Sequence, residues 1–210
     1  MATRTKGFGR IILCQVSLLT LLLWSPSAQA IVSPLETVRT ATTQALIVLQ
    51  NPSSQGAAYQ QERLDKMWEI ILPRLDPQEI ALRSLGKHWN ALTEEQRENF
   101  LRLFTQLVKR AYSSTFARYT KESQVSFDGQ HIDGDSAEVE TRIIYSSQNK
   151  SFSVTYRLYR KGEEWLVYDV VAGNVSMVHN YRNQFHRIIQ KSSYEGLVQA
   201  LEKKLKETEK

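Results

Sequence analysis

The spacing of apolar positions changes once along the chain, from a helical period to a strand period. Before residue 124, apolar side chains recur every three or four residues, as Leu64, Met67 and Ile71 do, which is typical of amphipathic helices. Residues 136–145 instead alternate apolar with polar side chains, which is the pattern of a half-buried strand. The chain is therefore predicted to begin with helices and to continue into a sheet.

Capping signals divide the helical part into four helices. Ser33 and Asp76 each precede a proline at the first helical position, with an acid in the first turn, and this combination favours a helix start. Thr93 and Gln96 form a capping box at the start of the longest helix. We predict helices that begin near residues 34, 57, 77 and 94.

Four strands are predicted after the helices, over residues 124–127, 136–145, 152–158 and 165–171. Lys161-Gly162 is a hairpin signal between the last two strands. A helix over about 175–190 follows, and Ser192 with Glu195 caps a final helix. The predicted class is therefore α+β, with a four-stranded antiparallel curved sheet covered by helices.

The first 30 residues have the features of a secretory signal peptide. Three basic residues, the last of them Arg10, precede an apolar run over 11–24, and a small-residue cleavage site ends at Ala30. The run is short for a bilayer span. We predict cleavage after residue 30 and a mature single domain over 31–210; an uncleaved membrane anchor is the alternative.

Charge and cysteine content narrow the class of protein further. The full chain has 27 basic and 22 acidic residues and a formal charge of +5, but three of the cations lie in the predicted signal. The remainder is nearly balanced, which argues against nucleic-acid binding. The single cysteine, Cys14, also lies in the signal. We therefore expect an exported domain without disulfides.

No catalytic or metal-binding motif is evident, so no catalytic residue, metal or cofactor is predicted. His179 and His186 are seven residues apart on one predicted helix, a wider spacing than that of helical zinc sites. Asp169 is the one acid within an apolar strand, and we expect it to pair with a basic side chain or cap the strand–helix junction. An enzyme would have to use Asp169 with His179 or Tyr168.

Residues 165–185, WLVYDVVAGNVSMVHNYRNQF, resemble the C-terminal signature of the MlaC family, also called the toluene-tolerance family. Residues 92–97, followed by Phe100 and Phe104, match the family as well. One departure is Gly173-Asn174, which stands where the family usually has Glu-Gly. The matching residues of the signature are Tyr168, Asp169, Val170, Val175, Ser176, Met177, Tyr181, Arg182, Gln184 and Phe185.

The resemblance implies a periplasmic phospholipid-binding component of an ABC lipid-transport system, which maintains outer-membrane lipid asymmetry. It implies an NTF2-like cradle with an apolar pocket, a monomer, and bound phospholipid as cargo. The implied partners are an inner-membrane MCE-domain/ABC transporter complex and an outer-membrane lipoprotein–porin complex. A related subgroup is associated with hopanoids, so the lipid can differ. A cradle-fold enzyme and a non-lipid periplasmic adaptor are the alternatives.

Strand parity and helix faces then predict which side chains contact the lipid tails. They come from the third and fourth helices, the second to fourth strands and the helix after the sheet. The predicted lipid-binding residues are Leu82, Leu85, Phe104, Tyr112, Val139, Ile143, Val154, Tyr156, Tyr168, Val170, Met177 and Tyr181.

Overall fold

A computed structural model describes residues 1–2, 32–51, 57–116, 123–145 and 149–207. Within them the chain forms five α-helices and one five-stranded antiparallel sheet, which confirms the predicted α+β class. Apart from residues 1–2, the predicted signal peptide lies outside the described residues. Among the helices described, none combines the length and the apolar character needed to cross a bilayer.

The sheet lies between two groups of helices in the sequence. The helices are α1 (Pro34–Leu49), α2 (Ala57–Ile71), α3 (Pro77–Leu85), α4 (Glu94–Phe116) and α5 (Met177–Glu207). The strands are β1 (Ser123–Asp133), β2 (Ser136–Tyr145), β3 (Lys150–Lys161), β4 (Glu164–Ala172) and β5 (Val175–Ser176). Short 3-10 helices follow α2 at Leu72–Arg74 and α3 at Gly86–Ala91.

The capping residues predicted for α1 and α4 begin their helices in the structure, whereas the predicted Ser192–Glu195 cap is not formed, since Ser193 bonds to Glu195 instead. Ser33 Oγ accepts the N–H of Glu36 at 3.2 Å at the start of α1. At α4, the Gln96 N–H donates to Thr93 Oγ1 at 3.2 Å, and the Thr93 N–H donates to Gln96 Oε1 at 3.0 Å. These bonds satisfy backbone N–H groups that the first helical turn leaves without partners. Local sequence chemistry therefore fixes where these helices begin.

The strands follow one another in the order β1-β2-β3-β4-β5, so the predicted count of four was one too few. The additional strand pairs Val175 with Ala172 across the two-residue loop Gly173-Asn174. Both loop residues have positive φ, 55° and 65°, as a tight hairpin of type I′ requires. Two residues are too short to show a strand period. Helix α5 consequently begins at Met177 rather than at Val175.

The inner face of the sheet packs against α1. Val139 and Leu158 are fully buried there and share one hydrophobic cluster with Val38 of α1. Hydrogen bonds tie both ends of the helix to β1: the Leu35 N–H donates to Gln130 Oε1 at 2.8 Å, and Gln50 Nε2 donates to the Ser123 carbonyl at 2.7 Å. The opposite face of β1–β3 carries exposed ion pairs such as Glu138–Arg157, with Oε1 and Nε 2.9 Å apart.

Asp76 joins the start of α3 to the sheet. Its Oδ1 accepts the Glu79 N–H at 3.0 Å, and its Oδ2 accepts hydrogen bonds from the Tyr159 hydroxyl and, at 2.9 Å, from Lys161 Nζ. The Asp76 N–H donates to the Val167 carbonyl at 3.0 Å. Burial opposes ionisation, but the three donors outweigh it and lower the pKa of Asp76. Asp76 thus anchors α3 to β3 through its carboxylate and to β4 through its backbone N–H.

Helix α5 contains a sharp break at the boundary where we predicted a new helix. Ser192 (φ −147°, ψ 18°) and Ser193 (φ 69°, ψ 179°) are not helical. The Ser192 hydroxyl donates to the Ile188 carbonyl at 3.0 Å. Beyond the break, Leu197, Leu201 and Leu205 are buried in the cluster that includes α4.

Candidate functional site

Among the described residues, the buried hydrophobic side chains form three clusters, which partly buried residues connect. The first unites α3, the following 3-10 helix, α4 and α5; the second unites α1 with the sheet; the third unites α1 with α2. Leu75 is half-buried and packs against all three clusters, and Tyr112 packs against the first and the third. The clusters therefore meet around Leu75 and Tyr112.

An apolar cleft lies at this junction, between α2, α3 and α4. Two of its nine lining residues, Thr105 and Lys109, are polar. Its free volume is about 20 Å³ in this conformation, which is room for about one water molecule. The lining residues are Trp68, Leu72, Leu75, Pro77, Ile80, Phe104, Thr105, Val108 and Lys109.

Lys109 provides the one charged group of the cleft lining. Its Nζ lies 6.0 Å from the centre of the Trp68 ring, at the outer limit of a cation–π contact. Within the described part of the chain, no carboxylate lies within ion-pair distance of Lys109. The cleft therefore combines apolar walls with a cation that is available to an anionic group.

Aromatic side chains continue from the cleft into the first cluster. The Phe104 ring stands edge-on to Tyr181 with centres 4.9 Å apart, and Tyr181 stacks with Phe185 at 5.4 Å. Burial, and then the neighbouring Tyr112, raise the pKa of Tyr181 to about 12. Burial also raises the pKa of Tyr112. These hydroxyls therefore stay uncharged at neutral pH within a largely apolar region.

Asp169 organises the junction between the sheet and α5, away from the cleft lining. Its Oδ2 accepts from Ser176 Oγ at 2.6 Å and from Arg157 Nη1 at 3.4 Å, and its Oδ1 accepts the Val178 N–H at 3.0 Å. Ser176 Oγ in turn accepts the His179 N–H at 3.0 Å. The carboxylate both pairs with an arginine and caps the helix start, so both predicted structural roles are confirmed.

The predicted lipid-binding residues are distributed over the clusters, and Phe104 is the one that lines the cleft. Leu85 and Met177 are buried in the first cluster, with Leu82, Tyr112 and Tyr181 packed against it. Val139 is buried in the second cluster, where Tyr156 and Val170 pack. Val154 is buried and Ile143 half-buried on β3 and β2. The Tyr168 ring lies beneath the Arg83 guanidinium at 4.0 Å.

Eight of the nine cleft residues were not predicted as site residues, and α2 with the segment that follows it supplies three of them. Trp68 falls on the apolar stripe of α2 but was not assigned to the site, and Leu72 and Leu75 frame Pro73, which predicted only a helix end. A helical stripe shows which side chains are turned inward. It does not show which of them border a gap between clusters.

A larger hollow of about 370 Å³ has four polar residues among the five that line it. Gln60, Gln61, Leu64, Ser113 and Ser114 surround it. Amide and hydroxyl groups lose hydrogen bonds to water when hydrocarbon covers them. This hollow therefore offers fewer apolar side chains to an acyl chain than the cleft does.

Two histidines form a contact that sequence spacing did not predict. His88 Nε2 and His186 Nδ1 are 2.9 Å apart, joining the second 3-10 helix to α5. His179, which we considered alongside His186, instead contacts Asn183 Nδ2 through its Nε2 at 3.0 Å. Among the described residues, no three His, Cys, Asp or Glu side chains are grouped closely enough to hold a metal ion.

Comparison with a protein-family model gives a match over most of the chain. The model described as "MlaC protein" matches residues 39–203. This span includes all five strands, α2 to α4 and every residue that lines the cleft.

Comparisons with individual proteins give two further similarities. The "Intermembrane phospholipid transport system binding protein MlaC" of Haemophilus influenzae is 25% identical over 132 residues, which cover 61% of this chain and 61% of that protein. A solved structure of a phospholipid-binding protein from Ralstonia solanacearum, in complex with a phospholipid, has a TM-score of 0.74. It is 24% identical, over 83% of this chain and 97% of that one, and this likeness establishes the fold.

Proposed function

The chain belongs to the MlaC family, and from this premise we propose that it binds a phospholipid and carries it between membranes. The family match agrees with the resemblance first drawn from residues 165–185. The observation that carries the proposal is the apolar cleft at the junction of three separate hydrophobic clusters.

The energetics of lipid transfer require such a shielded site. Each methylene removed from water contributes about 0.8 kcal/mol, so a chain of roughly sixteen carbons needs on the order of 12 kcal/mol of shielding. A surface groove that left the chains exposed would not supply this. A cleft between packed layers can, because both walls contact the hydrocarbon.

The cleft has to widen before acyl chains can enter, since its free volume is about 20 Å³. The division of the core supports such a change. If the clusters separate along the cleft, each cluster keeps its internal contacts. Only residues between clusters, such as Leu75, then lose contacts. The lost contacts between clusters are replaced by contacts with lipid, which offsets their cost.

Lys109 is suited to hold the phosphate of the headgroup. It lines the cleft beside apolar residues and has a long aliphatic stem that can lie along them while its ammonium stays in water. An ammonium pairs favourably with a phosphate oxygen. The acyl chains would then extend between α2, α3 and α4, with the headgroup at the mouth.

The cellular setting we propose is the periplasm, reached through the signal peptide predicted over residues 1–30. Release of a shielded lipid into water is too unfavourable to be useful, so the carrier must hand its lipid to a membrane partner. We propose an inner-membrane MCE-domain/ABC transporter complex and an outer-membrane lipoprotein–porin complex as these partners. The family is one of phospholipid-binding transport proteins, and a transport role needs no catalytic residue.

Native lipid extraction tests the proposal directly. The protein is purified from a Gram-negative host, extracted with organic solvent, and the extract is analysed by mass spectrometry. We expect about one phospholipid per chain, and uptake of labelled phospholipid from vesicles by protein stripped of lipid. Absence of both co-purified lipid and uptake would refute lipid carriage and favour the non-lipid adaptor, which the small cleft volume would also suit.

A further inference from the structure

The row of α4 side chains that lines the cleft continues to Tyr112. Phe104, Val108 and Lys109 are among the α4 residues in the cleft lining. Successive residues of an α-helix are rotated by about 100°, so Val108 and Lys109 lie about 40° and 140° around the axis from Phe104. Tyr112 lies at about 80°, between them, and one turn beyond Val108 along the helix. Its side chain therefore extends the α4 wall of the cleft.

Tyr181 reaches the same region from α5. Its ring stands edge-on to Phe104, with ring centres 4.9 Å apart, and both tyrosines pack against the first hydrophobic cluster. Side chains of a helix lean toward its N-terminus, which directs Tyr112 back toward the turn that carries Val108. Burial is the main cause of the raised pKa of Tyr181, and the nearby Tyr112 adds to it, as expected of two phenol groups close to each other. The two hydroxyls thus share one region.

Both hydroxyls can donate to an acceptor that is not part of the chain. Both side chains are half-buried, and within the described residues neither hydroxyl has a hydrogen-bond partner. The Tyr194 hydroxyl, in the same cluster, instead donates to the Gln96 carbonyl at 2.7 Å. A lipid that fills the cleft displaces water from Tyr112 and Tyr181, and an unpaired hydroxyl in apolar surroundings is unfavourable. The lipid therefore has to supply the acceptor.

We propose that Tyr112 and Tyr181 donate hydrogen bonds to the ester carbonyls of a glycerophospholipid, an inference that rests on the lipid carriage proposed above. Uncharged donors in an apolar region suit an uncharged acceptor, because burial of a charged phosphate among them costs far more. Tyr112 is three residues beyond Lys109, and side chains at this spacing are neighbours, with Cβ atoms about 5–6 Å apart. In a glycerophospholipid the ester groups follow the phosphate by a few bonds. A phosphate at Lys109 therefore brings the ester carbonyls to the tyrosines.

Competition between ester-linked and ether-linked lipids tests this role. Purified protein stripped of lipid is incubated with vesicles that contain equal parts of diacyl and dialkyl phosphatidylglycerol of the same chain length, of which only the first has ester carbonyls. The protein is separated from the vesicles, and mass spectrometry measures the ratio of the two lipids bound. The test variant combines Tyr112→Phe and Tyr181→Phe, which keep both rings. Tyr194→Phe is the matched control, since it removes a hydroxyl of the same cluster that has a protein partner. Circular dichroism establishes that both variants are folded.

We expect the wild type and Tyr194→Phe to prefer the ester-linked lipid by roughly three- to tenfold, the contribution of one hydrogen bond. The double variant should take up both lipids equally. Equal uptake of the two lipids by the wild type would overturn the proposal. A double variant that takes up less of both lipids at an unchanged ratio would overturn it as well, and would indicate that the hydroxyls contact the phosphate. Uptake of neither lipid by the wild type would refute lipid carriage itself, and this inference with it.

Discussion

Asp169 Oδ2 accepts a hydrogen bond of 2.6 Å from Ser176 Oγ, across the hairpin that connects β4 to α5. The same carboxylate caps the Val178 N–H and pairs with Arg157. Asp169 is 2% exposed, so its charge is stabilised by these donors rather than by water. One buried group thus fixes the direction in which α5 leaves the sheet.

Replacement of Asp169 by alanine should lower the free energy of unfolding by roughly 3 kcal/mol, because it leaves the Val178 N–H and Arg157 without their partner. Urea denaturation followed by circular dichroism measures the change. Asp135→Ala is the matched control: Asp135 pairs with Arg160 at 2.6 Å but is exposed, so its loss should cost less than about 1 kcal/mol. Equal losses in the two variants would contradict the assigned role of Asp169.

Val108→Trp should fill the cleft and reduce the phospholipid that co-purifies with the protein by several-fold. Val108 is half-buried in the cleft lining, and the added indole would occupy space that an acyl chain needs. Overpacking of this kind lowers the free energy of unfolding by about 1–3 kcal/mol, so we expect the variant to fold. Quantitative mass spectrometry of extracted lipid measures the effect.

Ile47→Trp provides the control for this substitution. Ile47 is 66% exposed on α1 and does not line the cleft, so the added indole should leave the lipid content unchanged. If Val108→Trp retained full lipid content while folded, the cleft would not be the binding site.

Ser193→Gly should raise the free energy of unfolding by about 1 kcal/mol. Ser193 has φ 69° and ψ 179°, a conformation that glycine adopts readily and that costs other residues about 1–3 kcal/mol. Loss of the exposed hydrogen bond from Ser193 Oγ to Glu195 offsets part of the gain. Thermal denaturation measures the difference, and Ser193→Ala, which keeps the side-chain carbon, should give no gain. A destabilised glycine variant would show that the break is not strained.

Acidification below about pH 6.5 should destabilise the protein through His88. Burial, and then the charges of His186 and Lys87, lower the pKa of His88 from its ordinary value of 6.5. As the pH falls, the unfolded chain takes up this proton before the folded protein does. The contribution of neutral His88 to the free energy of unfolding is therefore fully present above pH 6.5 and decreases below it. In urea denaturation between pH 7.5 and 5, His88→Gln should show a smaller decrease than the wild type. His131→Gln, on the exposed part of β1, should follow the wild type.

Alkaline conditions should destabilise the protein through Tyr181. Its pKa is raised to about 12, above its ordinary value of 10, so the unfolded chain loses this proton first as the pH rises. The contribution of Tyr181 to stability is therefore complete below pH 10 and is lost between pH 10 and about 12. Between pH 8 and 11, the melting temperature of Tyr181→Phe should decrease less than that of the wild type. Tyr59→Phe, at an exposed position on α2, should behave as the wild type does.

Helix starts and strand alternation were predictable because each depends on neighbours in the sequence. The Thr93–Gln96 capping box and the Asp76 cap are satisfied within one turn of helix. The alternation in residues 136–145 likewise places Val139 on the buried face. The role of Asp169 was predictable as well, because a lone acid in an apolar strand needs a partner.

Contacts over long sequence separations were not predictable from these patterns. His88 and His186 are 98 residues apart in the sequence. The sequence around either histidine does not indicate that the other will contact it. Strand β5 escaped prediction because Val175 and Ser176 are too few to define a period. The cleft was missed for a similar reason: apolar periodicity identifies buried side chains, while a gap between clusters depends on how several elements pack.

The sequence by itself determined the family, the α+β class and the ends of most helices, because short-range chemistry and periodicity encode them. Only the tertiary structure decided that the core is divided into three clusters and that an apolar cleft with Lys109 in its lining lies where they meet. The physical reason is that a side chain's inward or outward direction is local, whereas the neighbour it meets depends on the packing of the whole chain.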